Sequence, residues 1–333
     1  MSQDSENLLT GSSSRLAVDV FNGDADGLCA LQQLRLADPR PEARIVTGVK
    51  RDIALLSRLI DIQHADITVL DISLDRNREP LASLLARGNR VVYIDHHFSG
   101  IIPASNLLET HIDTSPKQCT SLIVDRLLQG RYRPWAIAGA YGDNLDAVAG
   151  QLASVHQIAP DALNQLKEIG RLLNYNGYGF SVDDLLAHPA DLFRELQQFE
   201  GPVDFFHGSK TLPRLRSGFH EDLAQAKGLQ PLQENAAGRV FQLPQAPWAR
   251  RVVGVFSNQL ARDQPELAHA TLLPVDETSF LVSVRAPLQD GTGADTLCRQ
   301  FPTGGGRAAA AGINKLPREE LDHFLALFAR HFK

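Results

Sequence analysis

"RLAVDVFNGDADGLCALQQLRLA", residues 15–37, runs from an apolar stretch through a break of Asn, Gly and Asp into leucines at helical spacing. The first part suits a β-strand and the last part a helix. Between them Asp24 and Asp26 stand one residue apart, beside Asn22 and ahead of Gly27. The pair is either a surface turn, since Asp and Gly favour turns, or half of a metal site.

The same strand, break and helix recur downstream. "ARIVTGV" (43–49), "DITVLDIS" (66–73) and "RVVYIDHH" (90–97) are further strand candidates, with helix-like stretches over 53–60 and 77–86 between them. This alternation predicts a mostly parallel sheet flanked by helices. From Gln118 to about Phe199 helical patterns take over, clearest in "CTSLIVDRLL", "WAIAGAYGDNL" and "DALNQLKEIGRLL". Residues 201–235 are polar and irregular. Beyond them "RVFQLP", "RVVGVFS", "ATLLPVD" and "SFLVSVRA" read as strands, followed by a glycine-rich loop and a closing helix, "REELDHFLALFARHF". The expected fold is therefore α/β. A disordered lead-in covers 1–14, a domain built on a mostly parallel sheet covers 15–200, a linker covers 201–235, and a smaller mixed α/β domain covers 236–333.

Composition bounds the function. A chain of 333 residues with 43% hydrophobic content can bury two domain cores. Its net charge of -6 leaves no broad basic field for duplex nucleic acid, so any polyanion site must be local. Cys29, Cys119 and Cys298 lack CxxC spacing and suit buried thiols in a reducing compartment. The N-terminal stretch has no secretory pattern, and nowhere do about 18 apolar residues run together. A cytoplasmic protein without a membrane partner is expected.

In open parallel sheets, ligands bind beyond the carboxyl ends of the strands. Asp24 and Asp26 follow the first strand, Asp71 ends the third, Asp95, His96 and His97 end the fourth, and Asp143 lies in "AYGDNL". Parallel strands would set these groups on one rim. So many carboxylates would repel and raise one another's pKa unless cations neutralised them. Oxygen ligands mixed with imidazole suit Mn²⁺ or Mg²⁺, with Co²⁺ or Zn²⁺ as further occupants. Two ions about 3.5–4 Å apart that share a carboxylate would activate a water and hold a phosphoryl oxygen. Taken singly, "DADG" reads as a turn and Asp71 as a helix cap. Their joint order at strand ends carries the metal reading.

In that order "NGDADG", "LDIS", "DHH" and "GDN" resemble the four N-terminal motifs of the DHH phosphoesterase superfamily. That superfamily includes RecJ exonucleases, nanoRNA and cyclic-dinucleotide phosphodiesterases, exopolyphosphatases and family II pyrophosphatases. "FLVSVRA" followed by "FPTGGGRAAAAGI" resembles its associated C-terminal domain. The resemblance implies that Asn22 and Asp24 serve a first ion, that Asp26, His96 and Asp143 serve a second, and that Asp71 bridges both. His97 would face the scissile phosphate and Asp95 would orient an imidazole, which makes His97, Asp71 and Asp95 the implied catalytic set. Arg285, Gly304, Gly305, Gly306 and Arg307 would bind the substrate's phosphate or terminal nucleotide, through glycine N–H groups and charged forks.

Two positions depart from the family. Asn22 stands where a histidine ligand of the first ion is usual, and an amide oxygen is the weaker donor. Arg307 stands where nanoRNA-type enzymes commonly have His. The compact two-domain form is most similar to the nanoRNA and dinucleotide phosphodiesterases. It implies hydrolysis of short single-stranded oligonucleotides or linear dinucleotides to mononucleotides with two divalent ions, Mn²⁺ foremost, in a possible homodimer. The alternatives are a polyphosphate or other phosphoanhydride hydrolase, and a non-catalytic nucleotide-binding relative, which Asn22 would favour. Thr120 and Ser121 read as helix-start caps or substrate contacts, Lys50 and Arg51 as phosphate contacts or a solvated cluster, and "NYNGYG" (174–179) as a helix-ending loop or as two tyrosines that stack a base.

Overall fold

The computed structural model describes residues 15–332. The lead-in expected over 1–14 lies outside the described residues. The chain divides into two compact units between Arg216 and Ser217.

Unit 1 is built on five strands: β1 (Ala17–Asn22), β2 (Arg44–Gly48), β3 (Asp66–Leu70), β4 (Arg90–Asp95) and β5 (Leu108–Ile112). They are ordered β2-β1-β3-β4-β5, and every neighbouring pair is parallel. Consecutive residues Val20 and Phe21 of β1 are both fully buried. That is the mark of a strand covered on both faces. One face packs Val18, Val20, Val69 and Tyr93 with Leu55, Leu59, Leu81 and Leu84. These leucines come from the 3-10 turn Leu55–Leu59, where sequence spacing predicts a longer helix, and from α2 (Arg78–Ala86).

On the helical side α1 (Ala25–Ala37) packs against α3 (Thr120–Leu127) and α4 (Arg133–Gly142), and α4 packs against α5 (Asp146–Val155) and α6 (Pro160–Gly177). The buried guanidinium of Arg35 ties these layers together. It forks onto Asp19 at 2.8 and 2.6 Å and reaches the Thr68 hydroxyl at 2.9 Å, so α1, β1 and β3 share one hydrogen-bonded triad. Strand β5 is absent from the sequence reading. All of its residues are half-buried at the sheet edge, so no continuous apolar run marks it.

The stretch read as a linker is helical over most of its length. After α7 (Pro189–Leu196) come α8 (Pro202–Gly208) and α9 (Thr211–Lys227). Unit 2 carries β6 (Gln233–Asn235), β7 (Gly238–Gln242), α10 (Pro247–Asp263), β8 (Ala268–Pro274), β9 (Ser279–Arg285), α11 (Ala294–Cys298), β10 (Gly304–Arg307), β11 (Ala310–Pro317) and α12 (Leu321–His331). Its six strands are ordered β10-β11-β9-β8-β7-β6, and only β7 and β8 pair in parallel. Leu272, Phe280, Val282, Ile313, Phe324 and Phe328 fill its core.

Two sequence expectations fail here. "RVVGVFS" is helical, inside α10: Pro247 starts the helix, and Val252, Val253, Phe256 and Leu260 share its buried face. The 3.6-residue period over the whole segment overrides its local β-branched content. "GGGR" is also no loop. It pairs with β11 as the edge strand β10.

Candidate metal centre

The carboxyl edge of the unit 1 sheet gathers the acidic groups, and each is fixed by its own element. Asp24 caps α1, its Oδ1 accepting from the N–H groups of Asp26 at 3.0 Å and Gly27 at 3.2 Å. A Cβ on Gly27 would lie 2.1 Å from the Asn22 carbonyl oxygen, so this close approach requires glycine. Gly177, near the end of α6, meets the same demand: its Cβ would lie 2.8 Å from that of Asp24.

Asp26 points at the start of α3. It accepts from the N–H groups of Thr120 at 2.7 Å and Ser121 at 2.8 Å, and from the Ser121 hydroxyl at 2.6 Å. Thr120 and Ser121, both fully buried, therefore hold the Asp26 carboxylate in place rather than cap α3. The Thr120 hydroxyl also donates to Asp71 at 3.1 Å. Asp71 sits just beyond β3 with φ 59°, a left-handed conformation that Asp and Asn tolerate better than most residues.

His96 completes the cluster. Its Nε2 lies 3.4 Å from Asp71 Oδ1 and 3.9 Å from both Asp26 Oδ2 and Asp143 Oδ2. Asp71, His96 and His97 each offer a ligand atom within 4.8 Å of the others. Carboxylate and imidazole donors at such spacing fit a divalent ion. His97 is also bound through Nδ1 to the fully buried Asp95 at 2.7 Å, which leaves Nε2 outward.

Electrostatics agree with a cation-seeking cluster. Burial pushes Asp71 well above the usual carboxylate range, and Asp26 and Asp24 push it further. Burial raises Asp143 to about 6, against the pull of Lys50. Burial acts against a charged His97, but the Asp95 hydrogen bond and the charges of Asp95, Asp26 and Asp143 together outweigh it and raise the imidazole pKa. Asp24 is the exception: burial would raise it, yet the ion-paired Lys50 ammonium brings it below its ordinary value.

Asp143 makes a pH prediction. Its raised pKa favours folding below the unfolded value of 3.8, and that contribution is lost as pH rises through about 6. Metal-free Asp143→Asn should therefore melt above the wild type at pH 7, and the gap should close between about pH 6 and pH 4. A gap that does not vary in a thermal melt across this range would mean that Asp143 ionises like a surface carboxylate.

The remaining expected residues fall elsewhere. The Asn22 amide oxygen is 3.3 Å from the Asp24 N–H, and its nitrogen donates to the Lys50 carbonyl at 3.3 Å. Arg51, with Arg58, Phe180 and His188, lines a cavity of about 490 Å³ in unit 1. Arg285, Gly304, Gly305, Gly306 and Arg307 lie in unit 2: the Arg285 Nε donates to Asn258 at 2.8 Å, and Arg307 is exposed at the end of β10. Asn174, which the sequence reading placed in a helix-ending loop, belongs to α6 and accepts from Lys50 at 3.1 Å. No sequence signal marks that contact. Among the described residues no helix is long and apolar enough to cross a membrane.

The sequence matches no protein-family profile and none of the curated proteins. Solved structures do match its fold. A DHH-domain protein described as a member of a family of ribosomal proteins aligns at TM-score 0.59 and 13% identity, over 97% of this chain and 87% of that one. RecJ of Thermus thermophilus in complex with Mn²⁺ aligns at 0.59 and 16%, over 95% of this chain and 52% of that one. The pGpG-specific phosphodiesterase PggH of Vibrio cholerae aligns at 0.56 and 13%, over 94% and 98%. The parallel five-stranded sheet, the second mixed sheet and these alignments give the chain the fold of the DHH superfamily.

Proposed function

We propose that the chain is a divalent-metal-dependent phosphodiesterase that hydrolyses short oligonucleotides or linear dinucleotides to mononucleotides. The observation that carries this reading is the convergence of Asp26, Asp71, His96 and Asp143 at one strand edge. A bound divalent ion supplies Lewis-acid polarisation of a phosphoryl oxygen and a more acidic water. Asp71 and His96, with Asp26 and Asp143, would hold the ion, and the α3 amides fix the Asp26 carboxylate in place beside them. Asp95 fixes the His97 ring through Nδ1, and its carboxylate favours the protonated imidazole. His97 then presents Nε2–H to a non-bridging phosphate oxygen as a charge-assisted donor. In unit 2, Arg285, the Gly304–Gly306 edge and Arg307 take the substrate's phosphate or terminal nucleotide.

Support for a short substrate comes from PggH, a pGpG-specific phosphodiesterase whose chain aligns with this one over nearly the full length of both. The test is a Mn²⁺-dependent screen of linear dinucleotides, oligonucleotides up to decamers, cyclic dinucleotides and polyphosphate. Mononucleotide release from the shortest substrates is expected. Orthophosphate release from polyphosphate, with dinucleotides untouched, would replace this reading by that of a phosphoanhydride hydrolase.

A further inference from the structure

We propose that the Lys50 ammonium stands in place of one of the two cations expected at this rim, so that the centre takes a single divalent ion beside a built-in lysine charge. The inference rests on the phosphodiesterase reading for the ligands of the remaining ion.

Asp24 is 2% exposed, and both of its oxygens are already engaged. Oδ1 serves the amides of Asp26 and Gly27, and Oδ2 pairs with Lys50 Nζ. The same ammonium donates to Asn174 Oδ1 at 3.1 Å and lies 3.6 Å from Asp143 Oδ1. It sits 5.7 Å from the centroid of the Tyr178 ring, a cation–π distance. Oxygen acceptors and an aromatic face therefore surround Nζ as they would a small cation.

The backbone of Lys50 is pinned as well. Its N–H donates to the Gly177 carbonyl at 2.8 Å, and its carbonyl accepts from the Asn22 amide. Asn22 thus uses its side chain to hold the lysine segment and the Asp24 amide. An imidazole ligand is missing where an ammonium is present, and the two observations explain each other. A divalent ion on Asp24 would lie a few ångströms from a positive charge and be strongly repelled. An ammonium supplies a fixed charge and three donors but no Lewis acidity. The ammonium can neutralise Asp24 and bind a phosphoryl oxygen, while Asp26, held by neutral α3 donors rather than by a cation, remains for one ion with Asp71, His96 and Asp143.

The test counts ions on the full chain. Chelator-stripped wild type is titrated with Mn²⁺ under equilibrium dialysis, with elemental analysis and electron paramagnetic resonance as readouts. One Mn²⁺ per chain with an isolated-ion spectrum is expected. The double variant Asn22→His, Lys50→Gln should bind two, with an exchange-coupled spectrum. Two coupled ions on the wild type would overturn the inference and leave the phosphodiesterase reading intact. No bound ion on the wild type would overturn both, and a folded double variant that still binds one ion would overturn the inference alone. Should the double variant not fold, the Lys50 Nζ resonance of the wild type decides. It should persist with little change when Mg²⁺ saturates the protein, and its loss would show that the ion expels the lysine.

Discussion

Asp71→Asn is expected to lower kcat/KM for Mn²⁺-dependent hydrolysis of a linear dinucleotide by about 10³-fold or more, roughly 4 kcal/mol of transition-state stabilisation. Asp71 sits at the centre of the cluster, 3.4 Å from His96 Nε2 and bound by the Thr120 hydroxyl. Asparagine keeps the shape, tolerates φ 59° and still accepts from Thr120, so charge is what the substitution removes. The loss should therefore appear as weaker ion binding as well as slower turnover. The same change should raise the melting temperature of the metal-free protein, because the buried Asp71 carboxylate resists ionisation in its acidic surroundings. Lower activity with higher metal-free stability is a combination that a merely structural role for Asp71 would not produce. A variant that keeps more than a tenth of wild-type kcat/KM at subsaturating Mn²⁺ would remove Asp71 from the centre.

The second large effect concerns stability. Asp19→Ala should cost about 3–5 kcal/mol, because it leaves the Arg35 guanidinium buried without its carboxylate. The pair is almost wholly shielded from solvent, with side-chain exposures of 3% for Arg35 and 1% for Asp19. Its loss also unties α1 from β1 and leaves the guanidinium with the Thr68 hydroxyl and the half-exposed Asp38 beside the end of α1. Urea unfolding should show a lower midpoint with an unchanged slope in the unit 1 transition. A cost below about 1 kcal/mol would mean that water reaches the guanidinium once the carboxylate is gone.

Much of the first unit is legible in the sequence, for a physical reason. Strands buried on both faces need continuous apolar runs, and four of the five strands carry them in order. Their carboxyl ends then place Asp24, Asp26, Asp71 and His96 together once the strands are known to be parallel, and Asp143 joins them from the end of α4. What stays hidden is contact between remote elements. Nothing local says that Asn174 reaches Lys50, or that the amides of Thr120 and Ser121 grip Asp26. Strand β5 escapes notice because a half-buried edge needs no strong pattern. In unit 2, residues 251–257 look like a strand through their valines, yet the face they share with Leu260 is helical. The glycines of 304–306 hide a strand because glycine announces loops wherever it occurs.

The residues that would hold an ion lie just beyond β1, β3 and β4 and at the end of α4, spread from Asp26 to Asp143. No fragment of unit 1 contains them all until the sheet is complete, so an ion has little to bind on a partly folded chain. By mass action it then stabilises only the finished unit, by about 2.7 kcal/mol at a hundred times its Kd. None of these residues belongs to unit 2. Metal supply would act as quality control on about two-thirds of the polypeptide: under divalent starvation, proteolysis should attack the first unit while the second persists.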